Sequence, residues 1–321
     1  MAFSSSAGWS NLPQGNFVPE IYSKNVLMFF RRAAVAEAVT NTDYYGEISA
    51  FGDTVHIIKE PTITIAPYTR GKTVQVQDID DEELTLTIDQ ANYFAFPVDD
   101  IEDKQAHLNW ESLATSSGAY TIKNEYDKNV LNYMEDQVAA GEDFVSANTI
   151  GSDSATDASG LGATTGHIDL GFAAGEITPL QLMNRMCRLL DDQDVPEENR
   201  WFVGSPEYYE ILGDEDSKLL DFDHVKDNDS KLRNGKVATG QVRGFELYKT
   251  NNAPGVSSGG TTNADVVMGG HISSTATASQ IAKTESLRSE RFFGDVVRGL
   301  HLFGRKTLRA NAMVKAFWDA D

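Results

Sequence analysis

Two short patterns in the chain contain residue types found in catalytic or nucleotide-binding motifs. RGKT at residues 70–73 ends like a phosphate-binding loop, but Ala66 stands where that loop needs its earlier glycine, and no helical pattern follows. GVSSG at residues 255–259 has the spacing of a nucleophile elbow, which requires a strand before the serine and a helix after it. It lies instead in a Gly/Ser-rich stretch. We therefore interpret both patterns as loops and expect no catalytic residue.

The acidic and histidine side chains show no established metal-ligand spacing. An acidic cluster surrounds His224, but it lacks the glycine and the terminal glutamate of an EF-hand. The six histidines are scattered along the chain without zinc-ligand spacing. The sequence therefore predicts no metal site and no cofactor, with a loosely bound cation in the acidic loop as the alternative.

Cys187 is the single cysteine of the chain, so no intrachain disulfide can form. It falls on an apolar stripe of helical spacing, which is typical of a buried small hydrophobic residue rather than of a nucleophile. Because no serine or cysteine stands in a catalytic context, we expect that the chain is not an enzyme.

The charge balance excludes several classes of protein. The 321 residues include 27 basic and 48 acidic ones, a net charge of −21, whereas ordinary nucleic-acid-binding proteins need a basic surface. This charge is typical of a surface that keeps a protein in solution; the alternative is a surface that repels nucleic acid and lets it slide past. No run approaches the ~20 apolar residues of a membrane-spanning helix, and the first residues lack the basic and apolar regions of a signal peptide. We expect no membrane partner.

The first fifty residues have the pattern of an irregular arm followed by a helix. The opening part contains scattered glycine, proline and aromatic residues, among them Trp9 and Phe17. Residues 19–39 place apolar side chains roughly on one helical face, with Arg31 and Arg32 beside it. This pattern predicts an arm and a helix that dock on another surface.

Residues 51–97 alternate apolar and polar side chains, which is the period of a β-strand. A Pro/Gly-containing turn at residues 67–72 divides them, so the sequence predicts a long β-hairpin with one apolar face. Because an isolated two-stranded ribbon is marginal in water, we expect this face to pack on another surface. The turn carries Arg70 and Lys72, and an acidic run follows at residues 78–83. A hairpin that reaches a neighbour could use both charges; a solvated loop is the alternative.

The longest helical pattern runs from about residue 99 to 140. Gly141 suits its end, and Ser116-Ser117-Gly118 interrupts or begins it. Residues 146–175, rich in Gly, Ser, Thr and Ala, have the composition of a long loop between two lobes. The apolar side chains of the helix recur at three- and four-residue steps: Ile122, Tyr126, Val130, Tyr133, Met134 and Val138.

A compact α/β pattern begins near residue 176. Thr178 and Gln181 have the spacing of a capping box, with a proline at the first helical position and an apolar stripe after it. Residues 200–204 and 244–248 have the pattern of strands, and a second short helix follows the first of them. The sequence predicts a lobe of strands covered by helices.

The closing run, residues 285–318, has the pattern of short strands broken by glycine. Residues 300–303 alternate between two faces, and Gly299 and Gly304 mark bends or bulges. Arginines are interleaved with these apolar residues, which indicates a packed and charge-paired setting. His301 is expected to be a satisfied or paired core residue.

Three phrases, in this order, resemble the major capsid proteins of tailed bacteriophages, the Hong Kong 97 type. DVPEENRWFVGSPEYYEIL at residues 194–212 is similar to the family's turn, strand and short helix. GQVRGFELYKTNNAP at residues 240–254 is similar to its strand and loop, and RFFGDVVRGLHLFGRKTLRANAM at residues 291–313 to its returning strand. The order of arm, hairpin, long helix, loop and α/β lobe is similar as well.

The resemblance implies an α+β phage major capsid fold in six parts. They are an N-terminal arm and helix (1–50), an extended β-hairpin or E-loop (51–97), a spine helix of the peripheral domain (98–145), a Gly/Ser/Thr-rich loop (146–175), an α/β axial domain (176–284) and a returning strand of the peripheral domain (285–321).

The resemblance also implies a structural virion protein. Its copies would assemble in the host cytoplasm, as pentamers and hexamers, into an icosahedral shell around double-stranded DNA that is bound without sequence specificity. Portal and scaffolding proteins would be partners, with a decoration protein as a further possibility. Aromatic anchors and opposite charges would form the subunit contacts: Trp9, Phe17, Arg31, Arg32, Tyr68, Arg70, Lys72, Asp80, Asp81 and Glu82.

Two other functions stay open from the sequence alone. An extracellular adhesin-like protein would fit the acidity, the low cysteine content and the Gly/Ser/Thr loops, although no signal peptide is expected. A hydrolase built on the α/β lobe would need a Ser/His/Asp context that the sequence does not offer. Stoichiometric labelling of Ser257 or Cys187 by an active-site probe would favour the hydrolase.

Overall fold

Four α-helices and twelve β-strands form the part of the chain that the structure describes. The computed structural model describes residues 34–44, 54–59, 63, 65–71, 73, 76, 83–99, 110–141, 143–152, 157–158, 166–172, 176–213, 242–255, 264–289 and 293–319. The helices are α1 (Ala36–Val39), α2 (Trp110–Ala140), α3 (Pro179–Asp191) and α4 (Pro206–Leu212). The strands are β1 (Thr54–Ile58), β2 (Glu83–Thr87), β3 (Gln90–Asp99), β4 (Thr149–Ile150), β5 (Asp157–Ala158), β6 (His167–Asp169), β7 (Arg200–Gly204), β8 (Phe245–Lys249), β9 (Asp265–His271), β10 (Thr275–Arg288), β11 (Gly294–Thr307) and β12 (Met313–Asp319). Short 3-10 helices lie at Ser146–Asn148, Ile272–Ser274 and Ala310–Ala312.

Seven strands form a mixed sheet in the order β5-β6-β12-β9-β7-β8, with β4 also paired to β12. β7 runs parallel to β8 and antiparallel to β9. Every residue of β7 is buried, as expected for a strand that is covered on both faces. The strands predicted at residues 200–204 and 244–248 are thus confirmed as β7 and β8, next to each other in the sheet.

Helices α3 and α4 cover one face of this sheet. α3 begins with the predicted capping box, in which Gln181 N donates to Thr178 Oγ1 and Thr178 N donates to Gln181 Oε1, both at 3.3 Å. The buried stripe of α3 shares a core with Phe202, Phe245 and Trp318 of the sheet. The apolar stripe predicted after the cap therefore faces the sheet.

The 31-residue helix α2 covers the opposite face and also reaches the second sheet. Tyr126, Val130 and Met134, three of the predicted apolar positions, are buried. They share a core with α1, with the seven-stranded sheet and with Phe303 of β11. One helix thus holds the two sheets together.

α2 is not interrupted at residues 116–118, where the sequence predicts a break or a start. Gly118 stays helical, and a Cβ atom there would lie 3.1 Å from the ring of Phe94 on β3. The glycine therefore serves the close packing of the helix on the second sheet. Asp99, near which the helical pattern begins in the sequence, is instead the last residue of β3.

The second sheet has three antiparallel strands in the order β10-β11-β3. β11 is one continuous strand of 14 residues, so the prediction of short strands broken by glycine is wrong. A Cβ atom at Gly299 would lie 2.3 Å from the ring of Phe94, and one at Gly304 would lie 2.3 Å from the carbonyl oxygen of Thr87. Both glycines therefore allow a neighbour to approach closely and do not mark bends. A register shift occurs instead in β10, after Ser279.

Residues 90–97 lie in β3 of the three-stranded sheet and not in the predicted long hairpin. Among the other described residues of 51–97, only β1 and β2 form strands, and these make up the base of the hairpin. They pair antiparallel, with Val55 opposite Leu86 and Ile57 opposite Leu84. Leu84 and Leu86 are buried, and Leu86 shares a small core with the first part of β10. At the base, the apolar face predicted from the alternation packs on the three-stranded sheet.

The Gly/Ser/Thr-rich stretch after α2 is not a continuous loop. It contributes β4 and β6, which run parallel to β12, and the two-residue β5 beside β6. Gly151 and Gly166 take the left-handed backbone that glycine favours, with φ of +73° and +85°. Part of this stretch thus belongs to the seven-stranded sheet.

Two basic side chains of the closing run pack against α2, one of them in an ion pair, so the predicted packed and charge-paired setting is confirmed for part of the run. Arg305 donates to the backbone carbonyl of Asn129 on α2 at 2.6 Å, and its guanidinium lies 4.8 Å from the centre of the Tyr133 ring. On β12, the buried Lys315 pairs with Glu135 of α2 at 2.5 Å. Strands of both sheets are thereby fastened to the same helix.

Candidate interaction surface

The distal part of the β1–β2 hairpin exposes large apolar side chains. Ile63, Ile65, Tyr68 and Val76 are 67%, 92%, 70% and 95% exposed. The described residues from Ile63 to Val76 are termed the hairpin tip below. Large apolar side chains are unfavourable in water unless something covers them, so such residues are candidates for an interaction surface. The hairpin tip is therefore the first candidate surface.

The turn of the hairpin tip lies where the sequence predicts it. Arg70 and Gly71 form the turn, and Gly71 has a φ of +90°. The side chain of Arg70 is exposed, so its charge is available to a partner at the far end of the hairpin. Among the described residues between this turn and β2 no helix begins, as a phosphate-binding loop would require.

Two side-chain contacts lie at the base of the hairpin. Lys59 Nζ lies 2.6 Å from Asp143 Oδ2 in the segment that follows α2. His56 pairs with Glu83 across β1 and β2. Exposed ion pairs contribute little free energy each, but together with the buried base they orient the hairpin and leave its tip free to meet a partner.

A second apolar surface is the outer face of the three-stranded sheet. The inner face packs on α2 through Phe303. Tyr93 and Leu300 lie side by side in register, 78% and 39% exposed. Arg298 follows on the same face, since side chains alternate along a strand, and pairs with Glu285 at 2.8 Å. This face combines an apolar pair with a charged pair.

A third exposed group lies where β10 turns into β11. Phe293 is 82% exposed and Leu287 45% exposed. Beside them, Arg288 pairs with Asp295 at 3.4 Å. The far end of this strand pair therefore also presents apolar side chains to solvent.

Two of the ten predicted contact residues, Tyr68 and Arg70, lie in the described part of the chain, and both are on the hairpin tip. Their contact with a neighbouring subunit stays a prediction. The other eight lie outside the described residues: Trp9, Phe17, Arg31, Arg32, Lys72, Asp80, Asp81 and Glu82.

Sequence reasoning missed Tyr93 and Phe293 as exposed residues. Tyr93 lies in the run ANYFAFPV, where apolar residues occupy both faces of the strand, so no polar face identifies the exposed side. The signal that identifies Tyr93 is its position opposite the exposed Leu300, which only the sheet register reveals.

Cys187 on α3 lacks the environment of a nucleophile. It is half-buried rather than buried, with Sγ 3.5 Å from Arg200 Nη1 and 3.8 Å from Asp191 Oδ2. Burial raises the pKa of the Cys187 thiol, and the Asp191 carboxylate adds to this. A catalytic thiol needs a lowered pKa. Arg200 Nε also donates to the Pro196 carbonyl oxygen at 2.8 Å. The contacts of Cys187 with Arg200 therefore join α3 to β7 and have a structural role.

His301 lies half-buried between α2 and the second sheet, where one of its ring nitrogens is paired as predicted and the other, Nδ1, has no hydrogen-bond partner among the described residues. Its Nε2 lies 2.9 Å from Ser279 Oγ, and its ring packs on Tyr126 and Phe303. Burial lowers the pKa of His301, because the charged ring loses hydration there, while Glu37 acts in the opposite direction. The fold therefore favours the neutral ring.

Acidification is expected to weaken the fold through His301. The pKa of His301 in the folded state lies below its ordinary value of 6.5. The neutral ring therefore contributes to stability in full above pH 6.5, and this contribution is lost as the pH falls through the folded-state pKa. His301→Gln should therefore show a shallower fall of Tm between neutral pH and about pH 5. Part of the slope remains, because burial lowers the pKa of His271 as well. Equal slopes in thermal melts of the variant and the wild type would contradict this role.

The described residues include no group of three or more His, Cys, Asp or Glu side chains that could hold a metal ion. None of their helices is long and apolar enough to cross a membrane. The acidic cluster around His224 and all but the first residue of the GVSSG pattern lie outside the described part of the chain. The candidate site is therefore the set of exposed surfaces.

The backbone is similar to solved capsid structures over nearly its whole length. Mycobacterium phage Che8 matches with a TM-score of 0.68 and 24% identity, over 94% of this chain and 97% of that chain. The capsid of cyanophage P-SCSP1u matches with a TM-score of 0.67 and 14% identity, over 95% of this chain and 94% of that chain. The capsid of a native GTA particle matches with a TM-score of 0.59 and 11% identity, over 99% and 100%. This chain has the phage capsid fold.

The phage capsid fold confirms the α+β class expected from the sequence. At identities of 24% and below, the three structures share with this chain its backbone course and few of its side chains. No protein-family model and no curated protein matches the sequence. In this phage capsid fold the hairpin tip and the outer face of the three-stranded sheet are surfaces on which large apolar side chains stay exposed.

Proposed function

We propose that the chain is the structural subunit of a phage capsid shell. The proposal rests first on the similarity to capsid structures, which covers at least 94% of the chain. It rests also on the four large apolar side chains that the hairpin tip exposes to solvent. An isolated protein gains nothing from such a tip, whereas a subunit buries it in the assembly. The role is structural and not catalytic.

Copies of the chain assemble as pentamers and hexamers into an icosahedral shell around double-stranded DNA. Contacts between two different surfaces of identical subunits generate rings that close when the rotation closes. The hairpin tip and the outer face of the three-stranded sheet are two such surfaces, each with exposed apolar residues. The capsid of the native GTA particle was computed with C5 symmetry, which places its subunits around a fivefold axis in that particle.

Opposite charges steer the contacts between subunits. The exposed Arg70 stands at the end of the hairpin tip, where a neighbouring carboxylate can pair with it. Large aromatic side chains anchor the contact, because they bury much area with few rotatable bonds. The full set in this proposal is Trp9, Phe17, Arg31, Arg32, Tyr68, Arg70, Lys72, Asp80, Asp81 and Glu82.

The packaged DNA is enclosed without sequence-specific binding. A net charge of −21 keeps phosphate groups from adhering to the shell wall. Portal and scaffolding proteins complete the assembly, and a decoration protein is a further partner. Assembly takes place in the host cytoplasm, and the product is the virion.

The six-part division forms part of this proposal. It comprises the arm and helix (1–50), the E-loop (51–97), the spine helix (98–145), the Gly/Ser/Thr-rich loop (146–175), the axial domain (176–284) and the returning strand (285–321). β12, in the last of these, pairs with β9 of the axial part. The last part of the chain therefore contributes a strand to the sheet of the axial part.

Negative-stain electron microscopy and sedimentation velocity of the full chain test the proposal. The protein is expressed and studied alone, at rising concentration and with a crowding polymer. Uniform hollow polyhedra, or stable rings of five or six subunits, are expected. A compact monomer under all of these conditions would overturn the assignment.

A further inference from the structure

A buried carboxylate on α2 joins segments that are far apart in the sequence. Asp127 is 0% exposed, and its Oδ1 accepts hydrogen bonds from Val35 N and Ala36 N, both at 2.7 Å. Its Oδ2 accepts from Asn252 Nδ2 at 2.8 Å. One side chain therefore holds the start of α1 and the loop after β8 at the same point.

On one side, the hydrogen bonds of Asp127 connect α2 to α1, and α1 in turn contacts the three-stranded sheet. These contacts are termed the α1 arm below. Val35, the N-cap residue of α1, makes no capping hydrogen bond with its own side chain, so Asp127 supplies the cap from 92 positions away. Beyond the other end of α1, Asn41 N donates to Thr275 O at 2.9 Å and Thr277 N donates to Asn41 O at 3.0 Å. α1 is thereby tied to the first residues of β10.

On the other side, the hydrogen bond from Asn252 connects Asp127 to the loop after β8, which contacts the seven-stranded sheet. These contacts are termed the loop arm below. Asn252 is buried, and its Nδ2 also donates to Asn124 Oδ1 on α2 at 2.9 Å. Within the same loop, Thr250 N donates to the carbonyl oxygen of Gly204, the last residue of β7, at 3.2 Å. The position of the loop is thus set by the sheet on one side and by α2 on the other.

The charge of Asp127 depends on both arms. Burial raises the pKa of Asp127, while the hydrogen bonds from the two arms and the positive charge of Lys123 act in the opposite direction. Lys123 itself pairs with Glu37 of α1 at 3.2 Å. A buried carboxylate is costly unless it is hydrogen-bonded, so its position requires donors on both sides.

We propose that Asp127 and Asn252 form a latch that couples the position of α1 to the seven-stranded sheet. Release of the loop at Asn252 loosens the start of α1, and displacement of α1 loosens the loop, because coupling between two sites is reciprocal. The latch belongs to the single chain and does not depend on the proposed assembly.

Amide hydrogen exchange of the full chain tests the latch. Asn252→Ala removes the donor on the loop arm. The amides of Val35 and Ala36, on the other arm, are expected to exchange about tenfold faster than in the wild type, the change expected when a buried charged group loses one hydrogen-bond partner. Asn132→Ala, the same replacement at an exposed position of α2, is the matched control and should leave both amides unchanged.

A second variant keeps the test decisive if Asn252→Ala folds poorly. Asn124→Ala removes the acceptor that orients the Asn252 side chain, and it should raise the same exchange rates to a smaller extent. Wild-type exchange at Val35 and Ala36 in the folded variants overturns the latch. So does faster exchange that appears equally in Asn132→Ala, since a general loosening of the fold would then account for it.

Discussion

Gly304→Ala is expected to lower the free energy of unfolding by about 3 kcal/mol. The added Cβ atom would lie 2.3 Å from the carbonyl oxygen of Thr87, 2.9 Å from its carbonyl carbon and 3.0 Å from Ile88 Cα. All three are backbone atoms, so the overlap is relieved only if the end of β2 moves away from β11. That movement would also disturb the buried base of the hairpin. Urea denaturation followed by circular dichroism measures the loss.

Gly213→Ala is the control for the effect of replacing a glycine. Gly213 ends α4 with an ordinary φ of −86°, and a Cβ atom there would come no closer than 3.3 Å to the carbonyl oxygen of Tyr209. The free energy of unfolding of the Gly213→Ala variant is expected to stay within about 0.5 kcal/mol of that of the wild type. If Gly304→Ala has the urea midpoint of the wild type, then close approach of β2 is not the reason for this glycine.

Features that depend on residues close in the chain could be predicted from the sequence. The capping box needs only the three-residue spacing of Thr178 and Gln181, and the buried stripe of α2 needs only its helical period. The turn at Arg70 and Gly71 follows from local turn chemistry. The alternation of residues 51–97 is also local, and it indicated an apolar face for the hairpin. The apolar side chains of the hairpin tip continue this face and are exposed.

Features that depend on distant partners could not be predicted. Asp127 is a charged residue within a helical pattern, and it has the pattern of a solvent-exposed position until Val35 and Asn252, 92 and 125 positions away, are placed beside it. Gly304 looked like a bend because Thr87, which excludes any side chain there, lies on a different strand pair. The exposure of Tyr93 likewise depends on its strand neighbours.

A triple variant of the hairpin tip, Ile65→Ser with Tyr68→Ser and Val76→Ser, is expected to stay folded and to lose shell formation. These side chains are 92%, 70% and 95% exposed in the single chain, so their removal costs the subunit little packing and its Tm should be unchanged. In the proposed shell a neighbour covers them, and burial of one large apolar side chain contributes about 1.5–3 kcal/mol. Three such losses per subunit raise the concentration needed for assembly by several orders of magnitude.

Electron microscopy and sedimentation velocity measure the loss of assembly, and circular dichroism reports whether the variant is folded. Thr69→Ala with Thr73→Ala, two exposed positions on the same hairpin tip, is the matched control and should form normal shells. Deletion of residues 62–77, which leaves the paired base of β1 and β2 in place, should behave like the triple variant. Normal shells from the triple variant would remove the hairpin tip from the subunit contact. An unfolded triple variant would instead mean that the hairpin tip packs within its own subunit, because only then does its apolar surface contribute to the stability of a single copy.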